Sequence, residues 1–278
     1  MTLSRSRQIR QLELTSRRQL AGLLGGGERS RFRGQGLEFA ELRPYQPGDD
    51  PRLIDWNHTA RQGQPHIRCY QEERSRQVLL LTDLSRSITP VKFALLQEAV
   101  ALLAFAAVAQ RDRVGLVGFA EETELVLPPG NSTTQVHRLL GRLDDHPRTA
   151  TGTRLAPPLD KALRLLRRPG LILLLSDFHA ALPTALLQRV ASRHDLIAVL
   201  LRDPEEARLP AAPLLLRDAE TGAATLCDGS TSHLLWQRED QQLSTTLRGC
   251  GIELLKLAGG HPVLPPLRRF FLRRRRRS

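Results

Sequence analysis

Residues 78–87 read VLLLTDLSRS, an unbroken apolar run that stops at Asp83 and continues through Ser85 and Ser87. A strand with one face in water alternates apolar and polar residues, whereas a strand covered on both faces is apolar throughout. The run 78–82 is of the second kind, and so are 114–119 (VGLVGF), 171–175 (LILLL) and 196–201 (LIAVLL). Helical stretches separate them. Residues 91–109 are apolar almost all round, which predicts a deeply buried helix, and 155–167 and 184–193 are amphipathic. TELVL at 123–127 follows 114–119 so closely that a hairpin is expected. Beyond 202 come weak strands near 213–217 and 223–226, a helix over 231–249 and a last strand over 251–257. Strands alternating with helices, with one antiparallel edge strand, give an α/β fold with a doubly wound, mostly parallel sheet.

Four segments are expected: a flexible basic amino-terminal segment 1–35, an extension with short strands 36–76, the α/β domain 77–267 and an Arg-rich tail 268–278. In GLLGGGERS, 22–30, three adjacent glycines disfavour any regular element. In the extension, Leu37 and Phe39 open one strand and HIRCYQ gives another, while Asp50 before Pro51 reads as a helix cap with proline at the first helical position. Trp56 is expected as a core anchor, and Asp49, Asp50 and Asp55 as caps or partners of Arg43, Arg52 or Arg61.

The net charge of +12 belongs to the ends. Residues 1–33 carry +6 and residues 268–278 carry +7, whereas 34–267 carry −1. A domain that reads nucleic acid concentrates charge on a folded face, so specific nucleic-acid binding is not expected. The carboxy-terminal FFLRRRRRS reads as a solvated tail or, with Phe270 and Phe271 as apolar anchors, as a handle for an acidic partner or a peripheral membrane contact. No run reaches the roughly 18 apolar residues of a membrane span, and no G-x-x-x-x-G-K-[ST] loop is present. The three cysteines form no C-x-x-C pair, which suits a reducing cytoplasm.

Ligands of open α/β sheets gather beyond the carboxyl ends of the strands. Asp83 stands at one such end, with Ser85 and Ser87 in the loop that follows. The run 171–175 ends in Ser176 and Asp177, and the loop TATGTRL, 149–155, offers Thr151 and Thr153 ahead of a helix. Two carboxylates and several hydroxyls, with no soft donor, suit Mg²⁺ or Mn²⁺, which take oxygen ligands and keep some waters. Such a set leaves a coordination position for an outside group. A caps-only reading, in which Asp83 or Ser85 merely ends the next helix, is the structural alternative.

The D-x-S-x-S after a buried strand, the later Thr and the Asp ending a further strand resemble the metal-ion-dependent adhesion site of von Willebrand factor A domains. The resemblance implies strand order 3-2-1-4-5-6, metal ligands Asp83, Ser85, Ser87, Thr153 (or Thr151) and Asp177, and a partner carboxylate that completes the shell. RFRGQGLEFAELRPYQPGDDPRLIDWNHTARQGQPHIRCYQEER, with DAETG…CDGS at 218–230, is similar to the signature of the bacterial family called domain of unknown function 58. That family implies an adaptor or co-chaperone of a MoxR-type AAA+ ATPase acting on a client protein, and no enzyme activity. The other classes open to the residues are a metal-dependent phosphoester hydrolase and a binder of anionic surfaces through the basic ends. A dehalogenase-like phosphatase would need an acid two residues after Asp83, where Ser85 stands. His179, two residues after Asp177, is the one histidine near the expected rim.

Overall fold

The structure is a computed structural model that describes residues 10–14, 37–72, 75–150, 152–207, 209–210, 212–217, 224–228 and 232–277. Thr151, the joint 22–30 and most of 218–230 lie outside the described residues, as do the side chains of Cys69 and Cys227. The chain divides into two compact units, residues 30–75 and the remainder.

The smaller unit is a hairpin of β1 (Leu37–Pro44) and β2 (His66–Glu72), antiparallel, with a register shift between Phe39 and Glu41. Between them Asp50 caps a 3₁₀ turn, Pro51–Leu53, by accepting the Arg52 N–H. Asp55 then caps helix α1 (Trp56–Gln62) through the His58 N–H. Gly63, at φ 71°, closes that helix in the left-handed conformation that glycine adopts without a steric cost. Asp49 grips Arg43 with both oxygens, at 2.9 and 2.7 Å. The three acids therefore cap and pair, as the sequence predicts. Trp56 corrects the expectation of a core anchor: it is the first residue of a two-turn helix and is 69% exposed.

In the larger unit the elements run β3 (Gln77–Asp83), α2 (Pro90–Ala109), β4 (Arg113–Phe119), β5 (Thr123–Gly130), α3 (Thr133–Asp144), α4 (Ala156–Leu165), β6 (Leu171–Ser176), α5 (Thr184–Arg193), β7 (Asp195–Arg202), β8 (Pro213–Arg217), β9 (Ala224–Asp228), α6 (Ser232–Gly249), β10 (Glu253–Ala258) and α7 (Leu264–Arg277). β8 and β9 form a separate hairpin, and the other strands form one sheet in the order β10-β7-β6-β3-β4-β5. Only the β4–β5 pairing is antiparallel. Counted along the chain within this sheet, the order is 3-2-1-4-5-6, as the resemblance implies. It reverses between β3 and β6.

Continuous apolar runs are explained by the two cores. Val78 and Leu80 of β3, Leu173 and Leu175 of β6 and Val199 and Leu201 of β7 point to one side, where α2, α3 and α7 pack. Leu79 and Leu81, Ile172 and Leu174, and Ala198 and Leu200 point to the other, where α4, α5 and α6 pack. Each fully buried Leu, Ile or Val contributes about 1.5–3 kcal/mol. Among the described residues α2 alone is long and apolar enough to cross a bilayer, and 67% of that stretch is buried within the unit. Its apolar circumference is thus used by the core. Gly115 lets β4 approach β5 closely, since a Cβ there would lie 2.8 Å from the Leu127 carbonyl oxygen.

The Arg-rich end departs from expectation. Residues 268–277 belong to α7, so the boundary expected at 267/268 cuts a helix, and Phe270 and Phe271 are buried against the sheet. They are core residues and cannot serve as membrane anchors. Arg268, Arg269, Arg273, Arg275 and Arg276 are exposed, whereas Arg274 pairs with Asp195 and Glu253.

Candidate functional site

The strand order reverses between β3 and β6, where ligands of open α/β sheets gather, and Asp83 and Asp177 lie there at the carboxyl ends of the strands, both buried. The Ser85 backbone N–H and Oγ both donate to Asp83 Oδ1, at 3.0 and 2.6 Å. Ser176 Oγ donates to Asp83 Oδ2 at 2.6 Å and accepts the Phe178 N–H at 3.0 Å. That second bond helps hold Phe178 at φ 57°, a left-handed conformation costly for a bulky side chain.

Ser85 Oγ lies 3.0 Å from Ser87 Oγ. A hydroxyl has one proton, and that of Ser85 goes to Asp83, so Ser87 is the donor in this contact. Lone pairs remain on both hydroxyl oxygens. Burial, then the charge of Asp177, push the Asp83 carboxyl up to about 7, against the hydrogen bonds from Ser176 and Ser85 that favour its ionised form. A cation near Asp83, Ser85 and Ser87 would relieve that repulsion, and the donors are all hard oxygens, so these three residues fit Mg²⁺ or Mn²⁺. Among the described residues no group of three His, Cys, Asp or Glu is placed to hold a metal, and the donors beside Asp83 in this cluster are the hydroxyls of Ser85 and Ser87.

The other two expected ligands stand differently. Thr153 is half-buried in the loop before α4. That loop reaches the rim through the Arg86 N–H, which donates to the Ala150 carbonyl at 3.2 Å, and the Arg154 N–H, which donates to the Ala120 carbonyl at 2.9 Å. Asp177 is at the rim, but its Oδ2 accepts from Lys92 Nζ at 3.0 Å. Burial opposes ionisation of Asp177, yet Lys92 and His179 together hold its carboxyl below the usual range.

Several residues here escape a reading by motif. Lys92 comes from the first turn of α2, which begins at Thr89, a cap that accepts the Lys92 N–H and also donates to Asp203 at 3.2 Å. Its ammonium forms an ion pair with Glu206 at 2.6 Å and donates to the Ser87 carbonyl at 3.2 Å. Arg202, at the end of β7, donates to the Asp177 carbonyl at 2.7 Å and to Asp240 at 2.9 Å, with its guanidinium 4.8 Å from the Trp236 ring centre. Trp236 Nε1 donates to the Glu206 carbonyl at 2.6 Å, and the His179 ring meets Trp236 edge-on at 5.1 Å. The loops after β6 and β7 are thereby locked to α6. One signal existed: Lys92 is one of three lysines in the chain and sits inside an apolar helix, where a charge must find buried partners.

Comparison with known proteins bears on the fold and the family. The crystal structure of an aerotolerance-related membrane protein from Bacteroides fragilis aligns with TM-score 0.52 and 12% identity, covering 73% of this chain and all of that one, which shows a shared fold. The von Willebrand factor A (VWA) domain of SpRpn10 aligns more loosely, with TM-score 0.39 and 13% identity over 69% of this chain and 93% of that one. A relative in Mycobacterium tuberculosis (strain ATCC 25618 / H37Rv), Uncharacterized protein Rv1480, is 31% identical over 284 residues, 96% of this chain and 89% of its own length. The family model described as "Protein of unknown function DUF58" matches residues 41–241, and this chain belongs to that family.

Proposed function

We propose that this domain is a protein-interaction module that presents a divalent cation, Mg²⁺ or Mn²⁺, at the rim formed by Asp83, Ser85 and Ser87, with Thr153 at its edge. The carrying observation is the hydroxyl chain from Ser87 through Ser85 to a buried Asp83 at the sheet's switch point. A carboxylate and two hydroxyls cannot fill an octahedral shell, so the ion would have positions for a carboxylate from a partner protein. Bound there, the ion supplies a fixed positive charge; the chain's own residues orient it and set the shape of the rim.

The partner we propose is a MoxR-type AAA+ ATPase, with the domain acting in the cytoplasm as its adaptor towards a client protein and not as an enzyme. Family membership and the absence of an acid two residues after Asp83 support this reading. Retention of the purified ATPase on the immobilised domain tests it. Retention is expected with Mg²⁺ and is expected to be lost in chelator and in Asp83→Ala. Equal retention by wild type and Asp83→Ala in excess chelator would refute it, and turnover of a generic phosphoester abolished by Asp83→Ala would favour a hydrolase instead.

A further inference from the structure

Lys92 is among the largest fully buried side chains of the protein. An ammonium has three N–H donors, and three oxygens meet this one: Asp177 Oδ2 at 3.0 Å, Glu206 Oε1 at 2.6 Å and the Ser87 carbonyl at 3.2 Å. Asp177 and the Ser87 carbonyl accept hydrogen bonds from it, and Glu206 is its ion-pair partner. These oxygens come from the loops after β6, β7 and β3, so a single cation already ties together the loops that border the switch point.

We propose that Lys92 supplies, from within the chain, the positive charge that Asp177 requires, so that Asp177 is a ligand of an ammonium and not of a metal ion. The rim then has two halves: a fixed cation, Lys92, held by Asp177 and Glu206, and an exchangeable one, held by Asp83, Ser85 and Ser87. The inference rests on the reading of those three residues as a cation cradle, but it makes separate claims. Affinity for an oxygen-ligated ion rises with the number of charged ligands and the rigidity of the site. With one carboxylate in place of two, the ion is held weakly by the domain alone. It also keeps an excess positive charge, which a partner's carboxylate would neutralise. Metal and partner are therefore expected to bind with positive cooperativity.

The test is Mn²⁺ titration of the intact chain, read from the electron paramagnetic resonance signal of free Mn²⁺, together with thermal unfolding in chelator. Asp83→Asn is expected to weaken Mn²⁺ binding tenfold or more, on the order expected for loss of a charged ligand, and Asp177→Asn by less than about threefold. Lys92→Met exposes the Asp177 carboxylate to the ion and is expected to tighten binding about tenfold. In chelator, Lys92→Met and Asp177→Asn each strand a buried group and lower the midpoint by roughly 6–20 °C. The double variant Lys92→Met/Asp177→Asn is expected to be more stable than the two single losses would sum to.

Equal loss of Mn²⁺ affinity in Asp177→Asn and Asp83→Asn would overturn the inference and leave the cradle standing. Failure of wild type to bind Mn²⁺ would overturn the cradle, and the unfolding cycle would then decide the role of Lys92. Coupling between positions 92 and 177 upholds it; additivity overturns it. Should Lys92→Met fail to fold, the contrast between Asp177→Asn and Asp83→Asn still decides.

Discussion

Ser176 is the residue whose removal probes the site most directly, because its hydroxyl does two things at once. It donates to Asp83 Oδ2 at 2.6 Å and accepts from the Phe178 N–H at 3.0 Å. In Ser176→Ala the first bond, charge-assisted when Asp83 is ionised, is lost at about 1.5–3 kcal/mol, and the Phe178 N–H is left buried without its acceptor, at about 1–3 kcal/mol. Allowing for relaxation, a total near 3 kcal/mol is expected, which lowers the midpoint of a unit this size by roughly 6–12 °C. The methyl group adds no volume, so overpacking contributes nothing. Asp83 also loses a bond that favours its ionised form, and its two oxygens are no longer both fixed. Supporting residues of this kind typically change metal affinity by about 10- to 100-fold, and about tenfold weaker Mn²⁺ binding is expected. Urea unfolding in chelator and calorimetric Mn²⁺ titration measure the two effects. A double-mutant cycle with Asp83→Asn isolates the shared bond and should return about 1 kcal/mol or more of coupling. A stability change under about 0.5 kcal/mol, the range of ordinary surface substitutions, or a cycle that closes additively, would refute the reasoning.

Other expectations follow from the same kind of accounting. Burial pushes the Asp112 carboxyl up to about 6, in spite of Arg76, whose side-chain charge and backbone N–H (at 2.8 Å from Oδ1) both favour ionisation. Its folded value lies above its ordinary 3.8, so its contribution is complete below about pH 4 and is lost as pH rises through about 6. Asp112→Asn keeps the acceptor without the charge, and should be more stable than wild type by about 1–3 kcal/mol at pH 8 with no gain at pH 4; a pH-independent difference would sink this. Phe271→Ala should cost about 3 kcal/mol in urea unfolding, as a core phenylalanine does, whereas a residue in a solvated tail would cost nothing measurable. Gly115→Ala drives a methyl against backbone at 2.8 Å and should destabilise by about 1–3 kcal/mol. Gly141→Ala, in the middle of α3 with open space around it, should stabilise by about 0.5–1 kcal/mol; the two opposite signs in one thermal-shift comparison check both.

The sequence by itself determined what local pattern can determine. Runs such as VLLLT and LILLL identify strands because a strand covered on both faces has no polar position to spare, and the apolar circumference of 91–109 identifies the helix that covers them. Asp83, Ser85 and Ser87 were legible because they lie within five consecutive residues, and Asp177 because it follows the end of a neighbouring strand. The tertiary structure alone decided which charges meet. Lys92 reaches Asp177 across 85 positions and Glu206 across still more, and no periodicity records a contact made through a sheet crossover. Ser176 and Asp177 sit side by side in the sequence, yet because side chains alternate along a strand end one serves Asp83 and the other Lys92. Composition also misplaced the ends of two arguments: Trp56 is large and apolar but heads a two-turn helix and is 69% exposed, and Phe270 and Phe271 sit among arginines but face the sheet. In each case a residue's type states what burial would gain, while only the packing of elements distant in the chain states whether a surface is there to receive it.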